Sequence, residues 1–477
     1  MPPRKVLVAR RFPVVQTSGN KTKIRMIDDF SENEVNRTYA SADHISLHGV
    51  DTIAAGARFF AEALNERGVH PDWQAASIVG QTVDLKAAYK QLFVLPEHQW
   101  ASAVVVYNPK LCMPQWFIQL VLAFGARGSV TGFNRLARLL WRAGCWLGIP
   151  WLNYFDDYPL MLPEQVAEFG SRAILALLNI LGWDVSLDKL EPPDFMFIAL
   201  GVEVWLQGLR SCEAVIACKA SRAESVAAAL GNLLEKGCIS SKEAEQLRGR
   251  LVFMQSQVFG NAGVSARRVL AKARPHLDSD MRERLGWLVR WLKQLVPRPL
   301  QLAWCGPPLL LFTDGAAEAV GVSIGGVLID HRDSSVLYFG CYLPDTLINE
   351  WKAQGKEQVI AEAETLPLLI ARRIWRRRLY RAKVISFIDN EGARASVVKG
   401  SSKSAGCSAI LEAMELEDLA LGLWDWPTRV PSYSNLADGP SRLDFCIVAG
   451  FPGSRRDDAE LPITVLPRVL WRPESEE

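Results

Sequence analysis

The chain has 477 residues, of which 49% are hydrophobic and 22% charged, with a net charge of +2. That length holds two to four domains at roughly 100–200 residues each, and the apolar fraction excludes a disordered chain. The near-neutral balance points to no class of partner, so a case for nucleic acid must come from local charge. Met1 to Arg11 is basic at both ends around Val6–Ala9, an apolar core too short for a secretory signal. No later segment reaches the ~18 uninterrupted apolar residues of a membrane helix. The nine cysteines form no CxxC pair. They are expected as reduced thiols in an intracellular protein, with nucleus or cytoplasm left open. The abrupt start in structure-like sequence suits a fragment of a longer polyprotein.

Residues 1–215 mix β-rich runs with helical segments. Ala103–Tyr107 reads as a strand, and Trp116–Phe124, broken by Gln119, as a buried strand or helix. Glu164–Leu181 reads as an amphipathic helix opened by Pro163 and stopped by Gly182. Residues 216–297 favour helix throughout: Ser240 with Glu243 forms a capping box, and Leu247, Leu251 and Met254 follow at helical spacing. Pro297, Pro299 and Pro307–Pro308 mark a linker over 298–308. Residues 309–445 return to α/β character, with strands over Leu309–Thr313, Val320–Leu328, Val336–Cys341 and Val384–Ile388. Residues 446–477 read as a peripheral tail in which Leu461–Leu470 has the apolar character to dock.

Two segments place acids where chemistry can use them. Asp84 ends an apolar run, and Asp156–Asp157 sit between aromatics in Asn153-Tyr-Phe-Asp-Asp-Tyr158. Neighbours on a strand point to opposite faces, so only a tight hairpin lets both aspartates serve one site. Joined to Asp84, such a turn offers hard oxygen ligands to Mg²⁺. Taken alone, an Asp-Asp pair in a turn is most often a solvated loop feature, and Tyr89 alone reads as a core aromatic.

These segments nevertheless occur in a recognisable order. Asp84-Leu-Lys-Ala-Ala-Tyr89-Lys-Gln91 resembles the first catalytic motif of reverse transcriptases, and Tyr154-Phe-Asp-Asp157 their aromatic-x-Asp-Asp box. Phe124–Arg135 is similar to the segment that supports template and nucleotide, and Lys23–Phe30 to the basic fingers motif. Asp188–Lys189 and Leu200–Val202 resemble the lysine motif and the primer grip. The resemblance implies an α+β right-hand polymerase, with fingers and palm over 1–215 and a helical thumb or connection over 216–297. It assigns metal to Asp84, Asp156 and Asp157, and triphosphate contact to Arg25 and Lys23. Tyr89 takes the sugar-gate position that favours dNTPs. Gln91 and Arg135 lie along the nucleotide path, and Lys189 is placed to protonate pyrophosphate. Two departures stand out: Arg127–Gly128 is more polar than the family form, and the segment before Lys21 is short. Arg248 and Arg250, in a segment similar to DIRS and Gypsy elements, are either phosphate contacts or solvated arginines of a bundle.

A second acidic set follows: Asp314 after an apolar strand, Glu364 with Glu362 as a rival, Asp389 after the strand Val384–Ile388, and Asp438. Acids at strand ends, with one on an intervening helix, can gather on one side of a sheet for two-metal hydrolysis. Their order and flanks, Phe387–Arg394 and Val430–Arg442, resemble an α/β ribonuclease H-like domain of an LTR-like or DIRS-like retroelement, here over 309–445. The resemblance implies metal ligation by all four acids, with Glu364 preferred because Leu366, Leu369 and Ile370 follow as the family helix does. No histidine occurs from Tyr433 to Ala437, where many of these domains carry one. The helix after Glu364 carries Arg372, Arg373, Arg376, Arg377, Arg378 and Arg381 over an inner stripe of Ile374, Leu379 and Ala382. Such a run suits contact with a hybrid backbone, and also a solvated face or a nuclear-localisation patch; the neighbouring acids favour the hybrid.

The implied function is RNA- and DNA-templated DNA synthesis with cleavage of the RNA strand of hybrids. Mg²⁺ or Mn²⁺ would serve as cofactor, two ions per active site. RNA template, DNA primer, RNA/DNA hybrid and dNTPs would be partners. The alternatives are a DNA-dependent polymerase or terminal transferase, and a domesticated or inactive retroelement protein that binds nucleic acid or aids assembly.

Overall fold

A computed structural model of the protein describes residues 6–18, 21–40, 44–66, 76–254, 264–271, 276–293, 298–303, 306–319, 321–353 and 358–457. The chain divides into two compact units, Met1–Ala214 and Val215–Glu477, and both mix helices with sheets. No helix among the described residues is long and apolar enough to cross a membrane.

In the first unit, β1 (Val8–Ser18) and β2 (Lys21–Asp29) form a hairpin. The pair β3 (Ile78–Asp84) and β6 (Asp157–Pro163) lies apart from them. β4 (Ala103–Asn108) runs parallel to β1, and β5 (Met113–Ile118) completes the order β2-β1-β4-β5. Helices α1 (Val50–Asn65), α2 (Arg127–Trp146) and α3 (Glu164–Ile180) accompany the sheets. β7 (Met196–Ala199) and β8 (Val202–Trp205) make a further hairpin.

α3 begins where the sequence expects it. Pro163 at the N-cap has its φ fixed by the ring, Glu164 complements the dipole, and Gly182 at φ +77° ends the run. Its buried Ala167, Ile174 and Leu178 join Phe133, Ala137 and Leu140 of α2 against Val83, Tyr158 and Leu160 of the β3–β6 pair. The expectation of burial for Trp116–Phe124 is corrected: Trp116 is 65% exposed and Phe117 and Ile118 about half exposed. The reason is position, since β5 lies at a sheet edge.

The second unit opens with β9 (Glu213–Cys218) and continues through α4 (Ala220–Lys236), α5 (Ser241–Met254), α6 (Val264–Ala271) and α7 (Ser279–Lys293). The capping box forms: Ser240 N–H donates to Glu243 Oε2 at 3.0 Å, and Glu243 N–H donates to Ser240 Oγ at 3.2 Å. Leu247, Leu251 and Met254 are buried beneath it. The expected linker contains a short strand, β10 (Arg298–Gln301).

A six-stranded sheet follows in the order β15-β14-β11-β12-β13-β16. β11 (Leu309–Glu318), β12 (Gly321–Asp330) and β13 (Ser335–Tyr342) are antiparallel neighbours. β14 (Lys383–Ile388) runs parallel to β11, and β15 (Trp424–Arg429) parallel to β14. Helices α8 (Asp345–Lys352), α9 (Ile360–Ile374), α10 (Glu391–Lys399) and α11 (Ala405–Leu421) complete the unit. α9 is buried from Glu362 to Arg372 and packs on β11, β12 and α11. The tail expectation is corrected in part. Cys446–Ala449 forms a helical turn, and β16 (Ser454–Arg456) pairs with β13, because that strand otherwise leaves ladder groups open. Residues 458–477, with Leu461–Leu470, lie outside the described residues.

Three aligned positions, Asp314, Gly325 and Gly340, cross β11, β12 and β13. A Cβ on Gly325 would collide with Ser441 N, and one on Gly340 with Pro440 O. The missing side chains let the turn Asp438–Ser441 lie directly on the sheet beside Asp314. Gly325→Ala should therefore cost about 1–3 kcal/mol in urea unfolding, since backbone atoms cannot move aside as a flexible side chain would. A neutral substitution would contradict this packing.

Candidate active sites

In the first unit, the β3–β6 register sets Asp84 opposite Asp157. Asp157 is reached through a two-residue turn: Tyr154 and Asp157 exchange backbone hydrogen bonds of 2.9 Å, leaving Phe155 and Asp156 at the tip. Phe155 takes φ +51°, a costly conformation for an aromatic residue. Asn153 helps to hold it, donating from Nδ2 to Phe155 O at 2.9 Å while its own N–H donates to His48 Nδ1 at 3.0 Å. Asp156 O accepts from Leu85 N at 3.0 Å, which ties the tip to the residue after Asp84. The tight hairpin required by the sequence argument is thus present. His48 and Asn153 were missed because their partners are distant in sequence or backbone groups.

Burial is the largest influence on Asp156 and Asp157. It raises Asp157 to about 7, helped by the charges of Asp156 and Asp84. Asp156 is raised by burial and by Asp84, against the opposing charges of Lys189 and Arg25. Lys189 donates to Asp84 Oδ2 and is itself raised, chiefly by that bond. Tyr89 lies beside Asp156, its hydroxyl raised by burial first and then by that charge. Its ring is fixed edge-on against Phe124 and Phe133 at 5.0 and 4.9 Å. Arg25 is exposed on β2, and Arg135 is exposed on α2. The Lys23 side chain lies outside the described residues. The Gln91 amide donates to Lys86 O and Asp184 O and accepts from Asp184 N, so it braces the loop after Asp84.

In the second unit, oxygens of Asp314, Glu364 and Asp389 all lie within 4.8 Å of one another, the one such acidic group among the described residues. β11 supplies Asp314, its parallel neighbour β14 leads into Asp389, and α9 supplies Glu364. Gly315 permits the convergence, because a Cβ there would strike the backbone of Ala363 and Glu364. Glu364, not Glu362, faces the group; Glu362 is buried beside Ser404, which donates to it.

Burial raises Glu364 to about 8 and Asp314 to about 6, in each case ahead of the charges of neighbouring acids. Asp438 is close enough to raise Asp314. Ser441 Oγ donates to Asp314 Oδ2 at 2.5 Å, and Asn435 Nδ2 donates to Thr313 O at 3.1 Å. Neither anchor was singled out from sequence. Glu364 Oε2 and Asp389 Oδ1 are buried without a hydrogen-bond partner. Unsatisfied carboxyl oxygens within one cluster fit a divalent cation.

The arginine run needs correction. Arg372 is fully buried, with Nε 2.6 Å from Asp418 and Nη2 2.7 Å from Asp425, so it cannot meet a nucleic acid. Arg373 and Arg376 pair with Glu417 at 3.4 and 2.5 Å, and Arg378 with Asp330 at 2.9 Å. The helix also ends at Ile374, so Arg376–Leu379 is a separate turn and Arg381 lies beyond it at φ +53°. Arg377 is exposed. The inner stripe holds, with Leu379 and Ala382 buried and Ile374 packed beside them. Arg248 is exposed, while half-buried Arg250 donates to Ser225 Oγ at 2.8 Å.

No protein-family model matches the chain, and no curated protein matches it. Among solved structures it is similar to a foamy viral protease-reverse transcriptase bound to double-stranded DNA, at 16% identity and a TM-score of 0.46, over 89% of this chain and 66% of that one. A second such DNA complex matches at 16% identity and a TM-score of 0.45, over 80% and 69% of the two chains. A complex with an RNA/DNA hybrid matches at 14% identity and a TM-score of 0.46, over 90% and 51%. The chain thus spans about half to two thirds of those proteins. The fold is a mixed α/β one, and the case for activity rests on the chain's own residues.

The raised acids give a pH prediction. A carboxyl group with a folded pKa above its unfolded value costs nothing below about pH 4, where both states are protonated. Its cost grows as pH rises through the folded value, here about 6 for Asp314 and about 8 for Glu364. Glu364→Gln should therefore stabilise the metal-free protein at pH 8 by about 1–3 kcal/mol and remove most of the stabilisation by Mn²⁺. Thermal unfolding at pH 5 and 8 tests this; a variant less stable at pH 8 and still fully responsive to Mn²⁺ would oppose it.

Proposed function

We propose that the protein extends a DNA primer with dNTPs on an RNA or DNA template, and hydrolyses the RNA strand of RNA/DNA hybrids. The observation that carries this reading is the gathering of buried Asp314 and Glu364 with half-buried Asp389, where one oxygen each of Glu364 and Asp389 lacks a hydrogen-bond partner. Acids held so close are a burden on the fold unless a cation joins them. The opposed Asp84 and Asp157 with Asp156 are the matching feature of the first unit. In this reading residues 1–215 are fingers and palm, 216–297 a thumb, and 309–445 a ribonuclease H-like domain.

Mg²⁺ or Mn²⁺ held by Asp84, Asp156 and Asp157, and by Asp314, Glu364, Asp389 and Asp438, would activate the attacking hydroxyl or water and neutralise the leaving oxygen. Arg25, whose charge already reaches Asp156, would steady the triphosphate. Tyr89, its ring fixed by Phe124 and Phe133, would exclude a ribose 2′-hydroxyl. Lys189, which donates to Asp84, would pass a proton to the leaving pyrophosphate. Hybrid recognition would come from backbone and 2′-hydroxyl contacts, with little sequence preference.

The test is primer extension on an RNA template with dNTPs and Mg²⁺, run beside cleavage of an RNA/DNA hybrid. Asp156→Asn with Asp157→Asn should reduce extension at least about a hundredfold and spare hybrid cleavage. Asp314→Asn should do the reverse. Unimpaired extension by the first variant would reject the polymerase assignment, and unimpaired cleavage by the second the nuclease assignment.

A further inference from the structure

The turn that carries Asp438 meets the acidic cluster at Ser441 and carries an ion pair at the residue that follows. Ser441 donates to Asp314, and the next residue, Arg442, reaches outward. Its Nε lies 3.3 Å from Asp438 Oδ1, and its Nη1 donates to Glu318 at the end of β11. All three side chains are about half exposed, so this ion pair sits at the solvent mouth above the buried Asp314 and Glu364. Its charge also reaches Asp314.

A guanidinium never loses its proton, and its planar fork matches carboxylate and phosphate alike. An exposed ion pair of this kind is weak, so Asp438 can leave it for a stronger cation. Glu318 then keeps the guanidinium at the mouth instead of releasing it to solvent.

We propose that Arg442 is a positioning residue of the second-unit site: parked on Asp438, it competes with a divalent cation for that carboxylate and, once displaced, stays on Glu318 to meet a phosphate of the substrate. The proposal rests on the reading of this site as a metal-dependent phosphodiester hydrolase. The chemical class it recognises is the phosphodiester backbone.

The experiment is Mn²⁺ titration by calorimetry on the full chain without nucleic acid, combined with steady-state cleavage of an RNA/DNA hybrid. Arg442→Gln should tighten Mn²⁺ binding about two- to tenfold, because a competing cation is gone. It should also raise KM for the hybrid, and Arg442→Lys should restore part of that loss. In an Asp438→Asn background, Arg442→Gln should leave Mn²⁺ affinity unchanged, since the contested carboxylate is already absent. Equal tightening in both backgrounds would overturn parking on Asp438, and so would unchanged or weaker binding by a folded Arg442→Gln protein. An unchanged KM would overturn the phosphate role. If the wild type bound Mn²⁺ but cleaved no hybrid, the hydrolase reading would fall with the phosphate role, while the cycle would still decide the competition at Asp438.

Discussion

Like charges held together out of water are the constraint around which this protein is built. A buried carboxylate resists ionisation, and a second one nearby resists it further. Both units nonetheless bring acids from different elements to one place, and in each burial outweighs the neighbouring charge as the cause of the raised pKa. Features that would otherwise be puzzling serve that end. Phe155 accepts an unfavourable φ so that Asp156 and Asp157 turn back toward Asp84. Gly315 gives up a side chain so that Glu364 can come down onto β11.

The two sites handle the repulsion differently. In the first unit a lysine ammonium sits on Asp84, and an arginine on β2 adds a more distant positive field. In the second, the deep acids face one another with oxygens unsatisfied, and the cation stands outside on Asp438. Electrostatics in a low-dielectric setting favours a multiply charged ion over any single side chain at such a cluster. A compact divalent cation meets that need in a way that a lysine or arginine at the rim does not.

Much of this was legible in the sequence where the signal was local. Apolar runs ending in Asp84, Asp314 and Asp389 marked strand ends, while the choice of Glu364 over Glu362 came from resemblance to the family helix. The capping box at Ser240 and the helix start at Pro163 depend on near neighbours and emerged as read. What failed depends on distant partners. Arg372 looked like one of a basic row, but its acids lie 46 and 53 residues away. The brace that Gln91 makes was hidden for the same reason, since its partner Asp184 lies 93 residues away. Trp116 and Phe117 looked buried because hydropathy does not say that a strand lies at an edge. The glycines at 325 and 340 became meaningful only once register aligned them with Asp314.

The claim beneath the whole account is that these gathered carboxyl groups hold protons which a divalent cation displaces. The most direct measurement is the proton release that accompanies Mn²⁺ binding near pH 7, obtained by calorimetry in buffers of differing ionisation enthalpy. Binding should release protons from groups such as Asp157 and Glu364, and the release should vanish when Asp157→Asn and Glu364→Gln are combined. Mn²⁺ binding with no proton release, or release unaffected by the two substitutions, would contradict it.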